Sequence, residues 1–100
     1  MQNANIAEKA KEASGLLKAM GNEVRLLILC SLIEKKLTVS ELNERIDISQ
    51  SALSQHLAKL RSDNIVTTER DGLNIYYSVA MPVITDLLKV LQAEFCPEEE

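Results

Sequence analysis

Apolar positions recur along this chain with the period of helices and, past its middle, with the pattern of a strand pair. Ile6, Ala10, Ala13, Leu17 and Met20 stand four and three residues apart and predict a helix over 1–20 that Gly21 ends. Asn22 can cap a second helix, VRLLILCSLI to about Glu34, which is apolar nearly all round and so expected at the centre. Thr38 and Glu41 form a capping box, and the helix it opens shows Val39, Leu42 and Ile46 on one side. After a break at Asp47 to Ser49, Ser49 can cap a helix in which Leu53, Leu57 and Leu60 recur on one face. Ile65 to Arg70 and Leu73 to Val79 are β-prone runs joined around Asp71-Gly72, a hairpin signal. Pro82 suits the first turn of a last helix with a stripe of Ile84, Leu87, Leu88, Leu91 and Phe95, and Pro97 ends it after Cys96.

Two short helices joined by a serine-bearing turn and followed by a hairpin predict a mainly α winged helix-turn-helix. The helix-turn-helix covers 38–62 and the wing 65–79, within one domain spanning 1–100; 97–100 is an acidic tail. On the second helix of the pair, Ser51, Gln55, Ala58 and Ser62 point away from the leucines, flanked by Gln50, Ser54, Lys59 and Arg61. Such a face suits the major groove of double-stranded DNA. Gln bonds bidentately to adenine, Ser bonds to either partner of a pair, and small Ala58 permits close approach. Lys59 and Arg61 are candidates for phosphates. Arg70 and Asn74 lie near the hairpin tip, within reach of backbone or minor groove, although Glu69 and Asp71 beside them oppose this. His56 falls about 60° from Leu53, on the flank of the leucine face, which favours a phosphate contact or a structural hydrogen bond over base reading. It has no nucleophile or orienting acid beside it, so no enzyme is expected.

A hundred residues bury a modest core, and one small domain can hardly cover both terminal stripes. The helices over 1–20 and 82–96 are therefore expected to pair across a two-fold axis. A homodimer of this kind sets two reading helices about 34 Å apart for the halves of a palindromic operator.

Charge refines this picture. The net charge is −4, from 11 basic and 15 acidic residues, so the whole molecule is no sponge for nucleic acid. From Lys35 to Arg61, however, five basic residues stand against three acids, leaving +2. Met1 to Glu12 is polar, without a secretory signal, and no apolar run approaches the ~20 residues of a membrane span. The chain reads as soluble and cytoplasmic, with no membrane partner and no cofactor.

The two cysteines, Cys30 in LLILCSLI and Cys96 at the end of the last helix, form no C-x-x-C. Cys30 reads as a small core residue and Cys96 as an accessible thiol. The partial negative charge of a helix C-terminus and the neighbouring Glu94, Glu98 and Glu99 oppose a low thiolate pKa at Cys96. A direct disulfide requires Cα atoms within about 7 Å.

The segments LLKAMGNEVRLLILCSL, LTVSELNERIDISQSALSQHLAKLRSDNIVTTERDG and IYYSV together resemble the ArsR/SmtB family of winged-helix repressors, over nearly the whole chain. Cysteines at positions 30 and 96 make it similar to the family's thiol- and persulfide-sensing subgroup. The resemblance implies that Cys30 and Cys96 are a sensor pair. A persulfide or oxidant would link them through a disulfide or polysulfide, and DNA affinity would fall. Metal-sensing members carry cysteines on the first helix of the reader, where this chain has Thr38-Val39-Ser40-Glu41-Leu42, or histidines on the last helix, where it has none. Metal sensing is therefore the weaker alternative. A different alternative is a protein-interaction module with structural cysteines.

Overall fold

The computed structural model describes residues 3–95. Five helices and a hairpin follow in the order α1 (Asn3–Met20), α2 (Glu23–Glu34), α3 (Val39–Arg45), α4 (Gln50–Ser62), β1 (Val66–Asp71), β2 (Asn74–Val79) and α5 (Pro82–Phe95). The helix starts follow the expected chemistry. Asn22 Oδ1 accepts from the Arg25 amide at 3.0 Å, and Ser49 Oγ accepts from the Ala52 amide at 3.1 Å. At Thr38 both halves of the capping box form, so two otherwise orphaned amides are satisfied before α3 begins.

The core is the meeting place of α2, α3, α4 and α5. Ile28 and Leu29 of α2, Leu42 of α3, Leu53, Leu57 and Leu60 of α4, and Ile84 and Leu88 of α5 are all fully buried together. Each such side chain removed from water contributes roughly 1.5–3 kcal/mol, so the leucine face of α4 is held firmly against α2 and its polar face is left outward.

One difference from expectation concerns exposure. α2 is not buried all round: Ile28, Leu29 and Leu32 are, but Leu27 is 48% exposed. An all-apolar helix carries no period to say which side stays open. Of the stripe expected on α1, only Met20 is buried, while Ile6 and Leu17 stand 47% and 58% exposed. On α5, Ile84 and Leu88 are buried, whereas Leu91 and Phe95 are exposed. Within one chain, the α1 stripe stays largely uncovered, as one small domain would leave it, and the α5 stripe is open over its last turns.

The hairpin also differs by one residue. Its register pairs Val66 with Val79 through to Asp71 with Asn74, so the loop is Gly72-Leu73 and not Asp71-Gly72. Gly72 has φ +68, and among the described residues Asn64 is the only non-glycine with positive φ. A positive φ at the first loop position alone is what a II′ turn needs, whereas Asp71-Gly72 in a I′ turn would force it on Asp71 as well. The wing is tied to the body through Leu37, and its own ladder runs one rung past the Val66–Val79 pair. Leu37 and Tyr77 exchange backbone hydrogen bonds of 3.1 and 2.7 Å, and the Ala80 amide donates to the Ile65 carbonyl at 2.9 Å.

Between α4 and the wing the chain turns within three residues. Asn64, at φ 61, donates its amide to the Arg61 carbonyl, and the Ile65 amide reaches back to Leu60. These are the two bonds of a Schellman motif, and its apolar contact is supplied by the buried pair Leu60 and Ile65.

Candidate functional site

The candidate reading face lies on α4, which α3 supports from behind. α3 is short and lies behind, its Leu42 fully buried, and the turn after it is fixed by one side chain that sequence reasoning missed. Asn43 Nδ2 donates to the carbonyls of Ile46 at 3.3 Å and Ile48 at 2.9 Å. Those carbonyls belong to the irregular residues between the helices, and Asn43 occupies them in place of water. The angle at which α4 leaves the body therefore depends on a half-buried amide.

On α4, Gln50, Ser51, Ser54, Gln55, Ala58, Lys59, Arg61 and Ser62 are all exposed. They form one surface, with uncharged groups over its first two turns and the cations near its end. Ser51 Oγ lies 3.4 Å from the Ser49 hydroxyl, so it is anchored at the start of the helix. Ser54, Ala58, Arg61 and Ser62 line a cleft of about 490 Å³ together with Asn64 and with Tyr77 of the wing. The wing thus borders the reading face on this side. Lys59 lies toward α1 instead, its ammonium 3.4 Å from the Asp63 carboxylate. That pair is an exposed one, four residues apart on a helix, and costs little to break when a phosphate competes. His56 is half-buried, consistent with its place on the flank.

Arg70 and Asn74 are exposed on the wing, Asn74 beside the two-residue loop and Arg70 one pair further in, opposite Ile75. The loop's own Leu73 is 97% exposed, which the expected hairpin placement had hidden inside a strand.

Cys30 lies on the open side of α2. It is half-buried, packs against the core, and lines an apolar groove of about 540 Å³ between α2 and α5. Leu26, Leu27, Leu88, Leu91 and Phe95 share that groove. Cys96, the residue after Phe95, lies outside the described residues, as do Pro97 and the acidic tail. Among the described residues, no group of three His, Cys, Asp or Glu side chains is gathered as a metal site would require, and no helix is long and apolar enough to cross a membrane.

Residues 22–68, which hold α2, the helix-turn-helix and the start of the wing, match the model of the family described as "Bacterial regulatory protein, arsR family". Over 96 residues, 96% of this chain and 89% of the other protein, the sequence is 40% identical to the transcriptional activator HlyU of Vibrio cholerae. The chain belongs to the arsR family. The regulator is also 35% identical, over its full 100 residues and 88% of the relative, to a biofilm growth-associated repressor of Xylella fastidiosa. Its fold superposes on a solved structure of reduced HlyU from Vibrio cholerae with a TM-score of 0.86, covering 92% of this chain and 97% of that one at 40% identity. These relatives are transcriptional regulators and not enzymes, and the winged helix-turn-helix is the fold the regulator shares with them.

Proposed function

We propose that this DNA-binding regulator works as a homodimer on a palindromic operator, and that linking Cys30 to Cys96 lowers its affinity for DNA. The observation that carries the DNA reading is the outward face of α4: a run of uncharged hydrogen-bonding side chains on a helix whose other face is locked in the core. Gln50, Ser51, Ser54 and Gln55 read base edges; Lys59, Arg61 and His56 take phosphates; Arg70 and Asn74 extend the contact from the wing. The homodimer is supported by Ile6 and Leu17 on α1 and by Leu91 and Phe95 on α5, which one chain leaves in water. Whether occupancy silences or activates a gene depends on where the operator lies in a promoter; the relatives include both an activator and a repressor.

The sensor reading is supported by Cys30 and Phe95 bordering one apolar groove, with Cys96 next in the chain. In chemical terms, a thiolate of the pair takes the outer sulfur of a persulfide, releasing the carrier thiol and leaving a cysteine persulfide. The second thiolate then attacks the inner sulfur and expels hydrosulfide, which leaves a disulfide across the pair. Such a bridge would tether α2 to the end of α5 and alter the spacing of the two readers.

Intact mass of the reduced protein after a persulfide donor, with hydrogen peroxide in parallel and peptide mapping of the product, tests this directly. A Cys30–Cys96 crosslink, with or without extra sulfur, is expected, accompanied by release of DNA. Cys30→Ser and Cys96→Ser should each bind DNA when reduced and fail to release it. Release that persists in both variants rules the dithiol mechanism out.

A further inference from the structure

We infer that Lys36 is a positioning residue for the wing, which it holds in place while cancelling a carboxylate that would otherwise repel DNA. The inference rests on the DNA-binding reading above. Lys36 lies in the loop between α2 and α3, yet its side chain reaches the hairpin. Its ammonium stands 3.1 Å from Glu69 Oε2 on β1 and 5.0 Å from the centre of the Tyr76 ring on β2. Glu69 and Tyr76 are directly paired across the hairpin, so both project from one face and one cation engages both strands. The next residue, Leu37, exchanges two backbone hydrogen bonds with Tyr77, which sets the stem of Lys36 beside the wing before its charge is considered.

The charge arithmetic gives the contact its purpose. Towards its tip the wing carries Glu69, Arg70 and Asp71, one cation against two acids. A wing of that balance would be driven from a polyanion. Lys36 brings the group to neutrality and leaves Arg70 able to meet a phosphate. As an exposed ion pair, with side chains 43% and 57% accessible, it adds little to fold stability. Its effect belongs in DNA affinity, where each uncompensated wing charge acts on several phosphates within a Debye length.

The test uses the full reduced chain and a duplex selected by the unmodified protein from a random pool. Affinity is measured across a salt series for Lys36→Met, Lys36→Arg, Glu69→Gln and the Lys36→Met/Glu69→Gln double variant. Lys36→Met should weaken binding about three- to tenfold at low salt, an effect of the size a single unscreened charge exerts. Lys36→Arg should hold affinity within about twofold, since the cation is kept. Glu69→Gln should not weaken binding, and in the double variant it should restore most of what Lys36→Met loses. Unchanged affinity in Lys36→Met overturns the inference. So does a double variant as weak as Lys36→Met with a salt slope shallower by about one, because that pattern marks a direct phosphate contact. Hydrogen exchange in the absence of DNA separates the clamp from the DNA reading: the Leu37 and Tyr77 amides should exchange faster in Lys36→Met, and unaltered protection there removes the clamp even if DNA binding falls.

Discussion

Asn43 gives the sharpest test of how the reader is held. Its amide nitrogen donates to two carbonyls of the inter-helix turn, at 2.9 Å and 3.3 Å. A neutral hydrogen bond contributes a net ~0.5–1.5 kcal/mol, and the longer one falls at the low end, so Asn43→Ala should cost about 1–2 kcal/mol. The more informative variant is Asn43→Asp. It keeps the shape and removes both donors, setting a carboxylate against two carbonyl oxygens, so it should be more destabilising than alanine above pH 5 and recover partly in acid as the carboxyl protonates. Thermal melts at one fixed protomer concentration read this out, since any dimer makes stability concentration-dependent. For a domain of this size each kcal/mol corresponds to about 4–8 °C in Tm. An aspartate variant as stable as the wild type at neutral pH would refute the donor role, and with it the idea that Asn43 sets the exit angle of α4.

Other substitutions probe the remaining layers. Leu57→Ala, at a fully buried position on α4, should lose about 2–5 kcal/mol in chemical denaturation, and a smaller loss would mean that the core collapses around the gap. Asn64→Gly should be tolerated, while Asn64→Ala should cost about 1 kcal/mol, because alanine pays the left-handed backbone penalty without asparagine's local compensation. Gln55→Ala should weaken binding to the selected duplex by roughly 1–3 kcal/mol and leave non-specific binding alone; equal loss on every duplex would reassign Gln55 to the phosphates. Gel filtration over a dilution series should show a dimer that Leu91→Lys with Phe95→Lys dissociates, and an unchanged elution volume would place the interface elsewhere.

What could be read before the structure was the part written in short-range chemistry. The caps at Asn22, Thr38 and Ser49 and the leucine face of α4 depend on partners three or four residues away, and each formed as expected. What was missed depends on partners brought together by the turn geometry or by the fold. The two acceptors of Asn43 lie in an irregular turn, Lys36 meets a strand 33 residues on, and Leu73 reaches the wing tip only because the hairpin turns at Gly72-Leu73. Asn64 did leave a trace, an asparagine between the end of a leucine helix and an isoleucine, which is the composition of a Schellman cap. The pattern of α2 carried burial but no direction, so the groove along Leu27 and Cys30 had no signature in it.

The three residues joining α4 to β1 have a wider consequence. Because the cap at Asn64, the buried Ile65 and its bond from Ala80 leave no slack, the reading helix and its wing form one stiff unit. A signal arriving from α2 or α5 has little means of altering which bases that unit prefers; it can alter only how two such units stand relative to each other. The regulator would then lose grip on all its operators together, in proportion to their spacing and not to their spelling. Induced release would shift an entire set of genes at once, up or down according to where each operator lies, and would not redirect the protein to a new one.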